Sequence, residues 1–487
     1  MVGYAWMGVV VVIALAAVML VRAFRFARPL PPVEPVARIK VDVDAAADRL
    51  AQVVACQTVS YGEGRPVEGE AFAGLHQKLA ELYPLVHARL ERRVIAGYSL
   101  LYTWPGTDAV LEPILLMAHQ DVVPADPATL AEWTHAPFTT GVVEGRVWGR
   151  GALDCKGPLV GELEAVEYLL RHGFQPLRTV YLAFGHDEEV GGTGARATAV
   201  WLQDHGVELK AVLDEGGVIA EAVLPGVDGP AALVGNVEKG YLTLELSVTQ
   251  PPGHSAAPPK HTAIGILARA ITRIEARPLP SRLDMVVSMF RGLGTALPFS
   301  LRLVMANTWL FGGALKRVLS ASMMTNAMTR TTAAATVVSG GVKDNILPGE
   351  ARALVNFRLL PGDTRADVLD RVGRIIDDDR VVVQAGASSF KNEPSPVSPT
   401  DTAAFGQLST TIRQIFGAIP VAPYLVFGGT DARSYHLVCK NIYRFSPVRM
   451  DKQDLERIHG IDECIAVDDL DKMVRFFVQL IRAWSAG

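Results

Sequence analysis

The stretch Thr179-Val-Tyr-Leu-Ala-Phe-Gly-His-Asp-Glu-Glu-Val-Gly-Gly-Thr-Gly194 limits the folds open to this chain more than any other. An apolar, β-branched run passes straight into three acids, Asp187, Glu188 and Glu189, and then into glycines. A short buried strand that ends this way puts charge at the rim of a sheet, and open α/β sheets bind ligands outside the carboxyl ends of their strands. Adjacent carboxylates repel, so a cation at this rim is one reading and a solvated acidic turn is the other.

The rest of the chain repeats the pattern. Pro113-Ile-Leu-Leu-Met-Ala reads as a strand that runs into His119-Gln-Asp121, and Lys210-Ala-Val-Leu reads as another that ends on Asp214. Alternate strand residues face the same way, so His119 and Asp121 share a side, either as a metal-binding His with its carboxylate or as a structural pair. Asp154 falls in a loop before a helix predicted over 159–172, with apolar residues at 159, 163, 166 and 170. A second helix is predicted over 195–205. This strand–helix–strand alternation implies a largely parallel sheet with helices on both faces, and such a sheet gathers its strand ends on one edge.

At 487 residues the chain exceeds a single core and suggests two or three domains. Net charge is −4, and no basic stripe with interleaved aromatics appears, so nucleic acid is not an expected partner. Four scattered cysteines without a Cys-x-x-Cys pair support neither a disulfide framework nor a thiolate zinc site.

Residues 1–21 carry no charged side chain. About twenty such residues are enough to cross a bilayer, which makes 1–28 a transmembrane anchor. A cleaved signal peptide would carry positive charge before the apolar run and a small-residue site after it, and neither is clear. Arg22, Arg25 and Arg28 follow the span and argue for a cytoplasmic body. Pro29, Pro31, Pro32 and Pro35 then make 29–36 a stiff spacer.

Four strings resemble the dinuclear zinc exopeptidases, the family of carboxypeptidase S, aminoacylase and succinyl-diaminopimelate desuccinylase. They are Met-Ala-His119-Gln-Asp121, Gly-Arg-Gly-Ala-Leu-Asp154-Cys-Lys156-Gly, Gly-His-Asp187-Glu188-Glu189-Val-Gly-Gly and Leu-Asp214-Glu-Gly-Gly. Arg457-Ile-His459-Gly-Ile-Asp-Glu463 is similar to the family's last ligand motif. The resemblance runs from about residue 37 to the end, nearest in style to the branch of carboxypeptidase S and N-fatty-acyl amino acid hydrolases, which also begins with a hydrophobic segment.

The resemblance implies that Asp154 bridges two metals, with His119 and Asp214 completing one site and Glu189 and His459 the other. Glu188 would be the general base, with Asp121 behind His119 and Asp187 supporting the turn. Imidazole and carboxylate ligands without thiolate suit two catalytic zinc ions per chain and tolerate cobalt or manganese. Two such ions roughly 3.5–4 Å apart can share a water and lower its pKa. His254 resembles the family histidine that stabilises the oxyanion, and Arg358 the arginine that clamps the substrate carboxylate. Asn345 and Lys343 are further candidates. Gly429 and Thr430 lie in a glycine run similar to a family substrate loop, although Ala432 stands where the family often has Ser.

The implied fold is α/β: a mostly parallel-sheet catalytic domain from 37–237 and 389–487, with an inserted α+β lid domain at 238–388. Residues 278–335 inside that insertion are Met- and Leu-rich, with helical packing as one reading and contact with an apolar substrate tail or membrane surface as the other. The expected activity is hydrolysis of an amide next to a free carboxylate, in small peptides or N-acyl amino acids. A metal-binding scaffold without activity is disfavoured by Glu188, and an aminopeptidase that reads a free amine is disfavoured by Arg358. A homo-oligomer and either side of the membrane stay open.

Overall fold

The computed structural model describes residues 2–27, 31–62, 65–139, 141–224, 226–227, 229–386 and 392–486. The expected spacer begins, and the expected insertion ends, at positions outside these.

Short apolar runs punctuated by Gly and Pro form a ten-stranded sheet. From one edge the order is Glu91–Ile95, Ser99–Trp104, Val180–Gly185, Ile114–His119, Ala211–Asp214, Ile442–Arg444, Ala231–Glu238, Ile219–Ala220 and Arg449–Met450. Val421–Val426 pairs beside Ala231–Glu238. The four strands from Val180–Gly185 to Ile442–Arg444 run parallel, as the alternation with helices predicts. Antiparallel neighbours flank them on both sides, so the sheet is mixed, with a parallel centre and parallel pairs again at Val421–Val426 and Arg449–Met450. Local pattern does not name a strand's partner. Glu91–Ile95 and Ser99–Trp104 are joined by a tight turn with positive φ at Ala96 and Gly97, a connection too short for a parallel crossover.

Successive strand residues point to opposite faces, and both faces are covered. Leu116, Leu182 and Leu213 pack under helices Val43–Val54, Lys156–Arg171, Ala403–Phe416 and Val467–Ser485. Leu115, Tyr181 and Val212 face the helix Thr193–Asp204.

A second, antiparallel sheet has the order Thr332–Gly340, Glu350–Leu359, Gly240–Thr249 and Val382–Ala385. Helices Ala263–Ala276 and Arg365–Ile376 close its own core of Leu244, Leu246, Val355, Phe357, Ile266 and Val372. Thr364 and Asp367 form a reciprocal cap that starts the second of these helices.

The helices within 278–335 do not join that core. Asp284–Leu293, Phe299–Ala306, Thr308–Leu319 and Met323–Thr329 bury Val286, Met289, Phe290 and Met305 elsewhere. Their partners are Leu233 and Ala422 of the main sheet, and Ala23 and Phe26 at the end of the N-terminal helix Val2–Phe26. Helical periodicity announces an apolar face but not what covers it.

Candidate metal centre and catalytic cleft

The parallel strands end on one edge, and their ends carry the chemistry. Ile114–His119 ends on His119, Val180–Gly185 runs into the turn of Asp187, Glu188 and Glu189, and Ala211–Asp214 runs into Glu215. Asp154 stands just ahead of the helix Lys156–Arg171, and His459 just after the helix Lys452–Arg457.

His119 Nε2 lies 2.9 Å from Asp154 Oδ1 and 3.2 Å from Glu215 Oε1. His459 Nε2 lies 3.2 Å from Asp154 Oδ2 and 3.2 Å from Glu189 Oε1. Each oxygen of Asp154 thus faces a different histidine, the geometry of a carboxylate able to bridge two cations. Ligand atoms of His119, Asp154 and Glu189 fall within 4.8 Å of one another. Cys155 also comes close to His119 and Glu215, but burial pushes its thiol well above the usual range and keeps it protonated.

The supporting residues fix these side chains. His119 Nδ1 donates to the backbone carbonyl of Asp121 at 2.9 Å, which leaves Nε2 for the cluster. The Asp121 carboxylate, with Oδ1 3.4 Å from His119 Nδ1, also accepts the backbone N–H groups of Glu188 and Glu189 at 3.1 and 3.2 Å. Asp187 accepts the N–H groups of Thr193 and Gly194 at 2.8 and 2.9 Å, and so holds the turn. A side chain at Gly185 would collide with the Asp431 carboxylate, which packs against that turn.

The electrostatics call for positive charge. Burial pushes Glu188 well above the usual carboxylate range, against the opposing His119 and with reinforcement from Asp431, Glu215 and Glu189. Burial and the Asp154 charge push Glu215 up to about 8. Bonds to Asp154 and Glu189 raise His459 to about 10. So many carboxylates in one desolvated place are each costly as anions, and divalent cations relieve that cost. Imidazole and carboxylate donors without thiolate fit zinc, cobalt or manganese.

Asp214 does not reach the cluster. Its Oδ1 accepts the backbone N–H of Glu215 at 2.9 Å and its Oδ2 that of Ala432 at 2.8 Å, so Glu215 takes the place expected for Asp214 beside His119. Two consecutive acids at a strand end point opposite ways, and sequence alone does not say which faces the site. Ala432 works here through its amide, so the absence of a Ser hydroxyl costs this contact nothing.

A cleft of about 330 Å³ opens over Asp154, Glu188, Glu189, Glu215 and His459. Its other walls carry Lys239, Arg358, Arg433 and the loop of Gly429 and Thr430. Glu238 fixes that loop, accepting Thr430 N at 2.9 Å and Oγ1 at 2.6 Å while Arg444 Nε donates to it at 2.5 Å. Arg358 lies 4.6 Å from the Tyr241 ring centroid. Lys239, which the sequence reading missed, donates to the Arg330 carbonyl at 2.9 Å. Burial, with the Arg358 charge, lowers its pKa to about 7. Its one sequence signal is position, at the junction of Ala231–Glu238 and Gly240–Thr249 where the two sheets meet.

His254 and Asn345 stand elsewhere. They belong to a small ribbon, Gly253–His254 with Ile346–Leu347, whose Ser255 N–H donates to the Asn345 carbonyl. Both residues are exposed and neither lines the cleft. His254 Nδ1 accepts the Ala256 N–H. Lys343 is exposed just before the ribbon.

Residues 115–483 match the peptidase family M20/M25/M40. The chain is 40% identical over 441 residues to the probable carboxypeptidase S-like 2 of Dictyostelium discoideum, covering 90% of this chain and 84% of that protein. It is 41% identical over 431 residues to the N-fatty-acyl-amino acid synthase/hydrolase PM20D1 of Xenopus tropicalis, covering 87% and 83%. The M20 family metallo-carboxypeptidase of Sulfolobus solfataricus shares the fold, with a TM-score of 0.64 at 18% identity over 90% of this chain and 98% of that one. The sequence match across nearly the whole catalytic body and the shared fold agree: the chain belongs to peptidase family M20/M25/M40 and is a metal-dependent enzyme of the peptidase and amidohydrolase type.

Proposed function

We propose that this enzyme cleaves an amide bond next to a free carboxylate, as a carboxypeptidase on small peptides. The observation that carries this is the cleft itself, with Asp154, Glu188, Glu189 and Glu215 on one wall and Lys239 and Arg358 on another. His119, Asp154 and Glu215 would hold one divalent ion, and His459, Asp154 and Glu189 a second, zinc being the best match to these donors. Two bound ions supply Lewis acidity and a water acidified towards a pKa of about 7. Glu188, next to but outside the ligand set, takes the proton of the attacking water and passes it to the leaving nitrogen. Arg358 offers the planar fork suited to a carboxylate, and Lys239 adds a point charge.

Hydrolysis of N-acyl amino acids, including N-fatty-acyl ones, is the second reading. Phe427 favours it, since it lies 5.9 Å from Lys239 Nζ at the cleft and packs into the apolar helical cluster behind it. The PM20D1 relatives carry that activity in their names.

In this reading the four-stranded unit is a lid, because it brings Arg358 to the cleft. The N-terminal helix is a retained anchor: Trp6–Phe26 has a mean hydropathy of 2.6, and removing it would uncover the core that buries Ala23 and Phe26. Thr332–Gly340 pairs with Glu350–Leu359 on one side and with no strand among the described residues on the other, and a second copy is the partner we assign to that outer edge; a monomer by sedimentation would refute that.

The test is the full-length enzyme in detergent, with metal counted and Gly-Xaa dipeptides and N-fatty-acyl amino acids assayed side by side. Activity that survives chelation would overturn the mechanism, and equal cleavage of substrates with an amidated carboxyl terminus would overturn carboxylate recognition. Lys239 adds a pH dependence. Its proton is present below about pH 7 and lost above it. KM for a carboxylate substrate is therefore expected to rise with pH through neutrality, and Lys239→Met to flatten that limb at a higher KM. A wild-type KM that stays constant across neutral pH would remove Lys239 from binding.

A further inference from the structure

The helical segment 284–329 presents a surface that hydrolysis does not use. Between Asp284 and Asp344 the chain has no acid and six bases, Arg291, Arg302, Lys316, Arg317, Arg330 and Lys343. On Thr308–Leu319 the buried side is Leu315 and Leu319. On the outer side Trp309 is 54%, Leu310 47% and Val318 68% exposed, and Met323 of the next helix is 92% exposed. Lys316 and Arg317 are exposed beside them. Asp284 is also exposed and shares a groove with Trp309, Arg291 and Lys316, so bases outnumber acids there. Scattered exposed apolar residues are ordinary, whereas a run of them among exposed bases marks an interaction surface.

The contacts with the N-terminal helix set the depth of this face. Asn307 Nδ2 donates to the Met19 carbonyl at 3.1 Å, and Arg22 Nε donates to the Ala306 carbonyl at 3.0 Å. The Phe24 and Phe299 rings lie 5.4 Å apart. A helix needs about twenty residues to cross the hydrocarbon layer. A span that starts near Trp6 is therefore still unfinished at Met19, where Asn307 is attached. Met19 lies about 10 Å before the end of the span at Phe26, so Trp309 and Leu310, which follow Asn307 directly, fall at the depth an interfacial helix reaches. Trp is favoured at the bilayer boundary, and Lys and Arg are drawn to anionic headgroups.

We propose that helices Thr308–Leu319 and Met323–Thr329 lie in the interfacial layer of a bilayer containing anionic phospholipid, as a second membrane contact beside the span. This rests on reading the N-terminal helix as a retained anchor. The contact reaches the cleft through the end of the segment, because the Arg330 carbonyl holds Lys239.

The experiment uses the full chain in nanodiscs of phosphatidylcholine and phosphatidylserine. Nitroxide labels are placed singly at W309C, V318C and M323C in a Cys56→Ser background, the other three cysteines being buried. V12C reports on the span, and V110C, at a 92% exposed loop position, reports on water. Power saturation is expected to show gained oxygen accessibility and lost nickel-chelate accessibility at 309, 318 and 323, as at 12 and unlike 110. A lipid signal at 12 with a water signal at 309, 318 and 323 would overturn the interfacial contact while sparing the anchor. A water signal at 12 would overturn the anchor and this inference with it. Dipolar broadening between labels at 318 or 323 would assign the face to a second copy and likewise overturn it.

Discussion

Replacing Glu188 by Gln lowers kcat by a factor of about 10²–10⁴, the usual contribution of a positioned proton-transfer group, and leaves bound metal unchanged. Gln preserves the shape of the side chain but can neither take a proton from water nor return one to the leaving amine. The residue stands apart from the pairing pattern of its neighbours, since Glu189 meets His459 and Asp154 meets both histidines. Its carboxylate is kept high by burial, and its backbone N–H is pinned by Asp121, so its position survives the exchange. Steady-state kinetics with metal analysis of the same preparation decides the matter. Retained turnover, or turnover and metal lost together, would remove Glu188 from the proton's path.

The adjacent acids Asp214 and Glu215 separate in the same two measurements. Glu215→Gln removes the carboxylate 3.2 Å from His119 Nε2, and about half of the bound metal is expected to go with it, together with most of the activity. Asp214→Asn should keep the metal and lower stability by about 1–3 kcal/mol, because an amide NH₂ in the place of one carboxylate oxygen would face a buried backbone N–H donor. Denaturant unfolding reads the second effect. The opposite outcome, metal lost from Asp214→Asn and kept in Glu215→Gln, would restore Asp214 as the ligand.

The pair also shows where the sequence stops being informative. Strand ends that carry His119, the Asp187–Glu189 turn and the Asp214–Glu215 step are legible because periodicity and composition are local properties. The direction of each carboxylate is not, since it depends on which N–H groups come to meet it, and Ala432 comes from more than two hundred positions away. Lys239 is missed although the domain boundary is expected beside it at 237/238, because nothing in Glu238-Lys-Gly says that the lysine turns toward the cleft. The assignment of His254 and Asn345 to the site followed a motif, and in the folded chain the small ribbon holds both outside the cleft.

By itself, the sequence determined the parallel centre of the sheet, the placing of His119 and the acids at its carboxyl edge, and the apolar N-terminal helix, while His459 was reached only through the resemblance of its motif. The strand ends and the helix follow from the length and bounds of local apolar runs. Tertiary structure alone decided that the sheet is mixed and that Asp154 turns one oxygen to each histidine. It also decided that the Met-rich helices pack on the main sheet and on the N-terminal helix rather than in the four-stranded unit. These outcomes depend on pairings between distant segments, and a pattern that tells a residue which way to face does not tell it what it will meet.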